Sequence, residues 1–573
     1  MTEQHVLFVN MPTIPLAEII GKTTNRAIKA FPFGLLYLSA ALKKSGHHGK
    51  IACADYAVTD YARLREDLDG TIRAEAIAAM SPCAPDVLAF SFSYSPSWEF
   101  FDRSLRILKA LWPNATVIVG GMHASNTIEH LLENHDHLVD YAVAGEAENV
   151  LPQLLAAIRS GEQIVADGIH SRSAILRNDH GMPSVVSSIT VDVDEQPFPD
   201  WSILDMDVYT GKTSSSSHLF WDELNTSKGK DLDASLFTSR GCPFQCTFCA
   251  SHTIHGRRMR NRPPESVVAE MHALNKQYGV NHFHIYDDLP LITKKRTDEL
   301  LGAMRNSGID NLKISLTQTL YVNNTTEEII DTIIHLTGSA TISFAIESGS
   351  IKVQKSIKKN VQLDKAARLI RYAQSRGLIV TINIILGFPG ETVEDMHETI
   401  ACIKDELKPN WTQFHIATPI VGTVMYQQFI DAGSITHGPE TWKKTLTNHR
   451  FFDSPWISAD ELNELRYRAN LDCNFASNYD LQTGNYDHAS KLFEGVYKLY
   501  PFHLFALNGM RQAAALAGDE QRSETLATAM IELSRDDSRA REMLEKYGDL
   551  FPDAVRVISD ADKSASPHLG GVA

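Results

Sequence analysis

The sequence predicts an α/β protein in three parts: a doubly wound parallel sheet, a central partial (β/α)6 barrel and an all-helical C-terminal domain. Three observations carry this. Short apolar strands alternate with amphipathic helical patterns over the first 160 or so residues, the same alternation resumes at Leu236 after a polar, proline-marked break, and from about Gly438 only helical periodicity remains. The expected boundaries are 1–165, a linker at 166–233, a barrel at 234–437, helices at 438–558 and a disordered tail at 559–573.

Length and composition agree. At 573 residues, 43% apolar and 22% charged, the chain is long enough for two or three cores and has a globular composition. The formal net charge of −16 argues against non-specific binding to nucleic acid or anionic lipid. No apolar run is long enough to span a bilayer and the N-terminus reads as a first strand, so a cytoplasmic protein is expected. A reducing compartment suits free thiols. The scattered Cys53, Cys83, Cys402 and Cys473 are read as lone buried thiols.

In the first part, strands are expected at His5–Asn10, Lys50–Ala54, Val87–Ser91, Thr116–Val119 and Tyr141–Ala144, with helices at Phe33–Lys44, Trp98–Leu111 and Asn126–Leu132. Ligands of such sheets bind beyond the carboxyl ends of the strands. Small and polar residues gather at those ends: Met11 and Pro12, Ser91 to Ser95 including Ser93, Gly120-Gly121-Met122-His123, and Gly145-Glu146. Glycines there admit a bulky ligand to the backbone.

The linker ends in Gln196-Pro197-Phe198-Pro199-Asp200-Trp201, a stiff junction, and residues 211–233 read as a flexible loop. Gly211-Lys212-Thr213 lacks the upstream glycine of a phosphate loop and is set aside. Six strand–helix units follow. Their strands are Ser235–Thr238, His282–Tyr286, Lys313–Leu320, Thr341–Ala345, Ile379–Leu386 and Gln413–Ala417; the helices are Pro264–Tyr278, Lys295–Ser307, Thr326–Leu336, Asp364–Arg376 and Val393–Glu406. In a barrel of this kind the active groups sit on loops at the carboxyl ends of the strands.

The loop after the first barrel strand holds Cys242, Cys246 and Cys249 at C-x3-C-x2-C spacing, with Gly241 and Pro243 bending the backbone. Three thiolates so close suit a soft metal centre; an iron–sulfur cluster held by three would leave one iron open. The alternative is a zinc knot with His252 as the fourth ligand. The motif, with Phe248 before the third cysteine, resembles that of the radical S-adenosylmethionine (SAM) enzymes. The resemblance implies a 4Fe-4S cluster on the three cysteines, with SAM on the open iron and cleaved to a 5′-deoxyadenosyl radical.

The later strand ends resemble that family's SAM-binding clusters in order and place. Asp287 and Asp288 follow the second strand, Glu347-Ser348-Gly349 the fourth, Gly387-Phe388-Pro389-Gly390-Glu391 the fifth and Thr418-Pro419-x-x-Gly422-Thr423 the sixth. The resemblance implies that Phe248, Asp287, Asp288, Glu347, Ser348, Gly387 and Gly390 surround SAM. The first part resembles the cobalamin-binding, flavodoxin-like domain fused to one branch of these enzymes. That likeness rests on Phe31-Pro32-Phe33-Gly34-Leu35, Pro85-Asp86-Val87, the Gly-Gly-x-His turn and Gly145-Glu146-x-Glu148. It implies that Met11, Ser91, Ser93, Gly120, Gly121, Gly145 and Glu146 cradle cobalamin. The D-x-H-x-x-G motif that supplies a histidine to cobalt in other cobalamin enzymes is missing, and His47, His48 and His123 do not restore it.

The helical part, with Ala489, Phe493, Pro501, Ala506, Ala513 and Ala527, weakly resembles one tetratricopeptide-type unit and is expected to pack on the barrel or on the helices of 441–477. Together the likenesses imply a cobalamin-dependent radical SAM methyltransferase that moves a methyl from SAM through methylcobalamin to an unactivated carbon. Its partners would be a small-molecule, lipid or peptide substrate and an electron donor such as flavodoxin or ferredoxin. Radical SAM cyclisation or ring rearrangement with cobalamin is the alternative within the family. A non-catalytic cobalamin sensor with a structural metal knot is the alternative outside it. No catalytic side chain is singled out.

Overall fold

The computed structural model of the chain describes residues 4–11, 31–53, 66–133, 135, 138–161, 169–171, 190–206, 232–289, 291–316, 319–446 and 448–565. Pro12, the Gly211-Lys212-Thr213 stretch and most of the loop read at 211–233 lie outside them.

The first sheet contains β1 (His5–Asn10), β2 (His48–Cys53), β3 (Val87–Ser91), β4 (Thr116–Gly120), β5 (Tyr141–Val143) and β6 (Ile169–Ser171) in the order β2-β1-β3-β4-β5-β6. The first five strands are parallel, in the flavodoxin-like order, and β6 closes the edge antiparallel to β5. Along β1 the side chains alternate between two layers. Val6 and Phe8 join the helices Phe33–Lys44 and Leu151–Ser160 on one face, while Leu7 and Val9 join Leu68–Met80 and Trp98–Leu111 on the other. Both faces are therefore covered, which is why the strands read as continuous apolar runs.

Three elements here lie outside the expected set: the helices Leu68–Met80 and Leu151–Ser160, and strand β6. The helix Leu68–Met80 is rich in alanine and has a weak apolar stripe; its start is fixed by the Asp67 side chain, which accepts from Gly70 N. Strand β6 carries the sheet to Ser171, past the boundary expected at 165.

The barrel opens with β7 (Asp233–Leu236), followed by a two-residue antiparallel ladder, β8 (Ser239–Arg240) with β9 (Arg260–Asn261), that brackets the cysteine loop. Strands β10 (His282–Ile285) and β11 (Lys313–Leu316) continue the parallel array as β7-β10-β11, and β12 (Thr341–Glu347), β13 (Ile379–Leu386) and β14 (Trp411–Ile416) form a second parallel trio. Leu320 joins the two by pairing with Phe344. Six strands in one parallel succession, with helices Pro264–Tyr278, Lys294–Arg305, Glu327–Thr337, Leu363–Ser375 and Val393–Cys402 between them, make the open (β/α)6 barrel that the periodicity predicts. Phe283, Ile285, Ile314, Phe344 and Ile382 pack outward into the core, so their neighbours in sequence face the barrel interior.

β14 is an exposed edge that the helical domain covers. Asn474 accepts from Thr412 N and donates to Thr412 O, both at 2.8 Å, so one side-chain amide stands in for the next strand. Asn410 donates to Asp480 nearby at 2.9 Å. Beyond them, the helices Tyr486–Leu499, Leu504–Leu516, Glu520–Asp536, Ser538–Tyr547 and Pro552–Ala565 share a separate core built around Phe493, Phe505 and Met530. The last helix runs past Ser559, where the sequence suggested disorder. Ala554 and Ile558 bury its first two turns and carry the following residues in register. Among the described residues no helix is long and apolar enough to cross a membrane.

Candidate active site

The cysteine loop owes its shape to Gly241, whose φ is +90° and where a Cβ would stand 2.3 Å from Arg258 O. Only glycine fits there. Past it, Cys242 N donates to Gly256 O, Thr247 N to Ile357 O and Arg257 Nη1 to Phe244 O, so the loop is fixed at both ends while Cys242, Cys246 and Cys249 stay free and half-buried. Burial raises all three thiols, Cys246 to about 11, and the thiols oppose one another's ionisation.

This donor set fits a cluster and not a single ion. Zinc bound by thiolates at about 2.3 Å draws its sulfurs to within about 3.8 Å of one another. Among the described residues, neither the three sulfurs nor any three drawn from them and His252 all lie within 4.8 Å of one another. Three thiols spread wider than one ion can gather suit a cluster with an open iron.

Around the thiols, the residues expected at SAM divide into two groups. Asp288 is exposed and close enough to Cys242 and Cys249 to oppose their ionisation. Glu347 lies beside Cys246 with φ at +70°, a strained setting for a glutamate, at a register shift in β12. Phe248 packs 5.6 Å from Phe388. Gly390 has φ at +80° and no described heavy atom within 4 Å of where its Cβ would be, which leaves the space a flat ring needs against the backbone. These four fit SAM.

The other three are taken up by the fold. Asp287 is fully buried and accepts from Thr238 N (2.6 Å), Thr238 Oγ1 and Ser239 Oγ (2.7 Å), pinning β10 to the start of the cysteine loop. Ser348 is buried at hydrogen-bonding distance from Thr399 Oγ1, 3.0 Å away. At Gly387 a Cβ would meet Leu462 at 2.5 Å and the Arg450 guanidinium at 3.0 Å. Asp287, Ser348 and Gly387, expected at SAM, thus also support the loops that surround the thiols.

Two cationic residues emerge that no motif marks. Lys359 Nζ pairs with Glu347 at 3.1 Å and lies 6.0 Å from the Phe248 ring centre and 5.3 Å from that of Tyr321. Burial works against its charge, but Glu347 and Cys246 outweigh it and hold the amine above its ordinary range. Arg450 donates to Gly387 O (2.6 Å) and Ala417 O (3.1 Å) between the rings of Phe429 and Phe452, so the segment after the barrel braces the ends of β13 and β14.

At the first sheet, Gly121 has φ at +105°, and a Cβ would stand 2.6 Å from Ser93 Oγ and 2.8 Å from Phe92 O. Ser93 Oγ accepts from Met122 N, and Gly145 N donates to Ser125 Oγ. A Cβ at Gly120, by contrast, would meet only Val143 O, at 3.6 Å. Ser91 pairs with Gly120 at the strand ends and Met11 is buried at the end of β1. Met11, Ser91, Ser93, Gly120, Gly121 and Gly145 thus lie together at or just beyond the carboxyl ends of neighbouring parallel strands, where the cobalamin cradle is expected. His123 lies 2.7 Å from Ser95 Oγ, with its ring among Phe92, Trp98 and Trp442. Burial lowers it to about 3, so it is neutral.

Glu146 does something else. It binds Arg260 through both oxygens (2.6 and 2.8 Å) and His255 at 2.8 Å, while Glu148 takes Arg240 at 2.7 Å. The Gly-Glu-x-Glu turn is thus an electrostatic clasp onto the barrel, and the Glu146 carboxylate, expected at cobalamin, is taken up by Arg260 and His255. A neutral contact stands beside it, Asn126 Nδ2 donating to Thr253 Oγ1 at 3.0 Å. Where Asn126 meets the sixth loop, a Cβ on Gly422 would come within 2.0 Å of it.

Comparison with known proteins agrees with this division. The radical SAM superfamily model matches residues 236–403 and the B12 binding domain model residues 23–155. A protein of Pyrococcus horikoshii described as an uncharacterized methyltransferase is 26% identical over 82% of this chain and 92% of its own. Cytidylyl-2-hydroxyethylphosphonate methyltransferase of Streptomyces wedmorensis is 27% identical over 82% of this chain and 90% of its own. The structure of the radical SAM methyltransferase TsrM of Kitasatospora setae, with cobalamin and a [4Fe-4S] cluster bound, has the same fold, with a TM-score of 0.56, 15% identity, and coverage of 92% of this chain and 100% of that one. With one domain of each kind and a donor set to match, the chain belongs to the cobalamin-binding radical SAM enzymes.

Proposed function

We propose that this chain is a cobalamin-dependent radical SAM methyltransferase acting on an unactivated carbon of a small-molecule, lipid or peptide substrate, with a flavodoxin or ferredoxin as electron donor. The observation that carries the reading is the fastening of the two cofactor-bearing segments. The loops after β4 and β5 are tied to residues 253–260, immediately beyond Cys249, by Asn126–Thr253, Glu146–His255 and Glu146–Arg260. Bound here, the cluster and one SAM supply a hydrogen-abstracting radical, and cobalamin supplies a methyl group drawn from a second SAM.

The chain's own residues bind, orient and shield. Cys242, Cys246 and Cys249 hold the cluster, and Asp288, Glu347 and Gly390 offer acceptors and a flat approach for SAM. Lys359 pairs with the Glu347 carboxylate at 3.1 Å in a buried setting. The clasp holds the mouth of the barrel against the cobalamin cradle, so both chemistries reach one substrate atom without free diffusion between them.

The test is anaerobic purification with iron, sulfide and cobalt quantified, then reduction with methyl-labelled SAM. About four irons and one cobalamin per chain, with 5′-deoxyadenosine, S-adenosylhomocysteine and label in a product, support the proposal. 5′-Deoxyadenosine without label transfer points to cyclisation or rearrangement, and intact SAM refutes an enzymatic role.

A further inference from the structure

The six barrel strands carry a second set of metal-binding side chains, separate from the cysteine loop. Asp233 is the first residue of β7 and His282 the first of β10, paired in register, and His284 lies two residues further along β10. Period-two alternation puts His282 and His284 on one face of the strand, while Phe283 and Ile285 are wholly buried on the other among the helices. The three side chains therefore converge on the barrel interior.

One ligand atom from each lies within 4.8 Å of the other two. His282 Nδ1 is 2.6 Å and His284 Nε2 3.4 Å from Asp233 Oδ1, and the two imidazole rings are 4.1 Å apart. Ligands bonded to a tetrahedral zinc at about 2.0–2.1 Å stand about 3.3 Å from one another, so an ion needs the His282–Asp233 contact to open by well under an ångström.

A second feature, on a third strand, completes the arrangement. Ser315 Oγ of β11 is 2.8 Å from His282 Nε2. Coordination through Nδ1 requires the ring proton to sit on Nε2, and Ser315 Oγ is placed to accept it. Bound histidines are characteristically fixed through their other nitrogen in this way. Two imidazoles and one carboxylate suit zinc, iron(II), nickel or another late divalent metal, not calcium or magnesium. Three protein ligands leave at least one position open.

We propose that Asp233, His282 and His284 form a divalent transition-metal site inside the barrel, with Ser315 as the positioning residue that selects the His282 tautomer. The ion would be distinct from the cluster, since its ligands lie on β7 and β10 themselves and not on the loop that follows β7. Its open position is suited to an oxygen or nitrogen donor of a molecule in the barrel. The inference does not depend on the methyltransferase reading.

The test uses the full untagged chain with its cluster reconstituted and no cobalamin, titrated anaerobically with Zn²⁺ by calorimetry, with zinc and iron then counted per chain. About one zinc is expected beyond the cluster iron, with a rise in melting temperature. His284→Gln should abolish that uptake while leaving the iron content and the zinc-free melting temperature unchanged. Ser315→Ala keeps all three ligands and should weaken zinc about 10–100-fold, which preserves a readout if His284→Gln does not fold. The proposal is overturned if the wild-type chain takes up no zinc beyond the cluster, if His284→Gln and Ser315→Ala bind it as well as wild type, or if the uptake disappears with Cys242→Ala.

Discussion

Glu146 at the end of β5 and Arg260 at the start of β9 form a two-pronged ion pair, Nη1 to Oε2 at 2.6 Å and Nη2 to Oε1 at 2.8 Å, with the glutamate side chain only 2% exposed. It joins two domains that the sequence presents as separate, and His255 and Arg240 lean on the same carboxylate. Burial opposes its charge, yet His255, Arg260 and Arg240 hold Glu146 far below the usual carboxylate range. Glu146→Ala removes the anion and leaves two buried guanidiniums short of a counter-charge, so stability should fall by about 3–5 kcal/mol in denaturant unfolding. Since the folded-state pKa is depressed, the contribution is complete above the unfolded value near 4.3 and fades as pH drops below it. Methyl transfer should suffer more than 5′-deoxyadenosine formation, which needs only the barrel; equal losses would show that the clasp does not align the domains.

Lys359 and Glu347 are both nearly buried, and neither is free of the other. Lys359→Met keeps the length of the side chain but strands Glu347 without its cation, which should cost about 3 kcal/mol or more. Replacing both, as Lys359→Met with Glu347→Gln, should recover much of that loss. A double-mutant cycle with no coupling would remove Lys359 from the site.

What the sequence made legible was what local pattern controls. The strands of the first sheet read clearly because they are buried on both faces, those of the barrel because buried apolar residues recur at every second position, and Cys242, Cys246 and Cys249 because one short loop must carry all three. Asp287 and Asp288 show the limit. Adjacent residues at a strand end point to opposite sides, and only the register of β10 against β7 decides that the first pins the loop while the second meets the thiols. Glu146 was visible as a motif residue, but its partners His255 and Arg260 lie more than 100 positions away. Lys359 and Arg450 stand outside every motif, in a short turn and in a segment that reads only as helical, and long-range packing alone brings them to Glu347 and Gly387.

Glu391 links structure to pH. Its Oε2 accepts from Gly387 N (2.6 Å) and Phe388 N (2.9 Å), and Oε1 finds no partner among the described residues. Burial raises it to about 8 in spite of those bonds and of Arg450. The folded protein therefore holds a proton there that the unfolded chain has lost above about pH 4.3. Folding stability should decline as pH rises from that value towards 8 and level off beyond it. Glu391→Gln should flatten this decline, so wild type and variant melting temperatures should diverge between pH 6 and 9 with the variant the more stable at the alkaline end. Parallel profiles would mean that the carboxyl is ionised throughout.

Gly390 and Gly121 separate ligand binding from folding. Both have positive φ, but a Cβ at Gly121 collides with Phe92 O at 2.8 Å, whereas at Gly390 it meets no described atom within 4 Å. Gly390→Ala should cost only the backbone strain of about 1–2 kcal/mol, leaving a folded chain with normal iron content. Because the open space above Gly390 is where the flat ring of the proposed SAM would lie, the added methyl should weaken SAM binding, measured calorimetrically on the cluster-loaded protein, by about tenfold or more, the 1.4 kcal/mol that a lost close contact of this kind represents. Gly121→Ala should instead destabilise the first sheet and lower cobalamin content with SAM affinity unchanged. If Gly390→Ala binds SAM as tightly as the wild type, the cofactor does not lie against this turn.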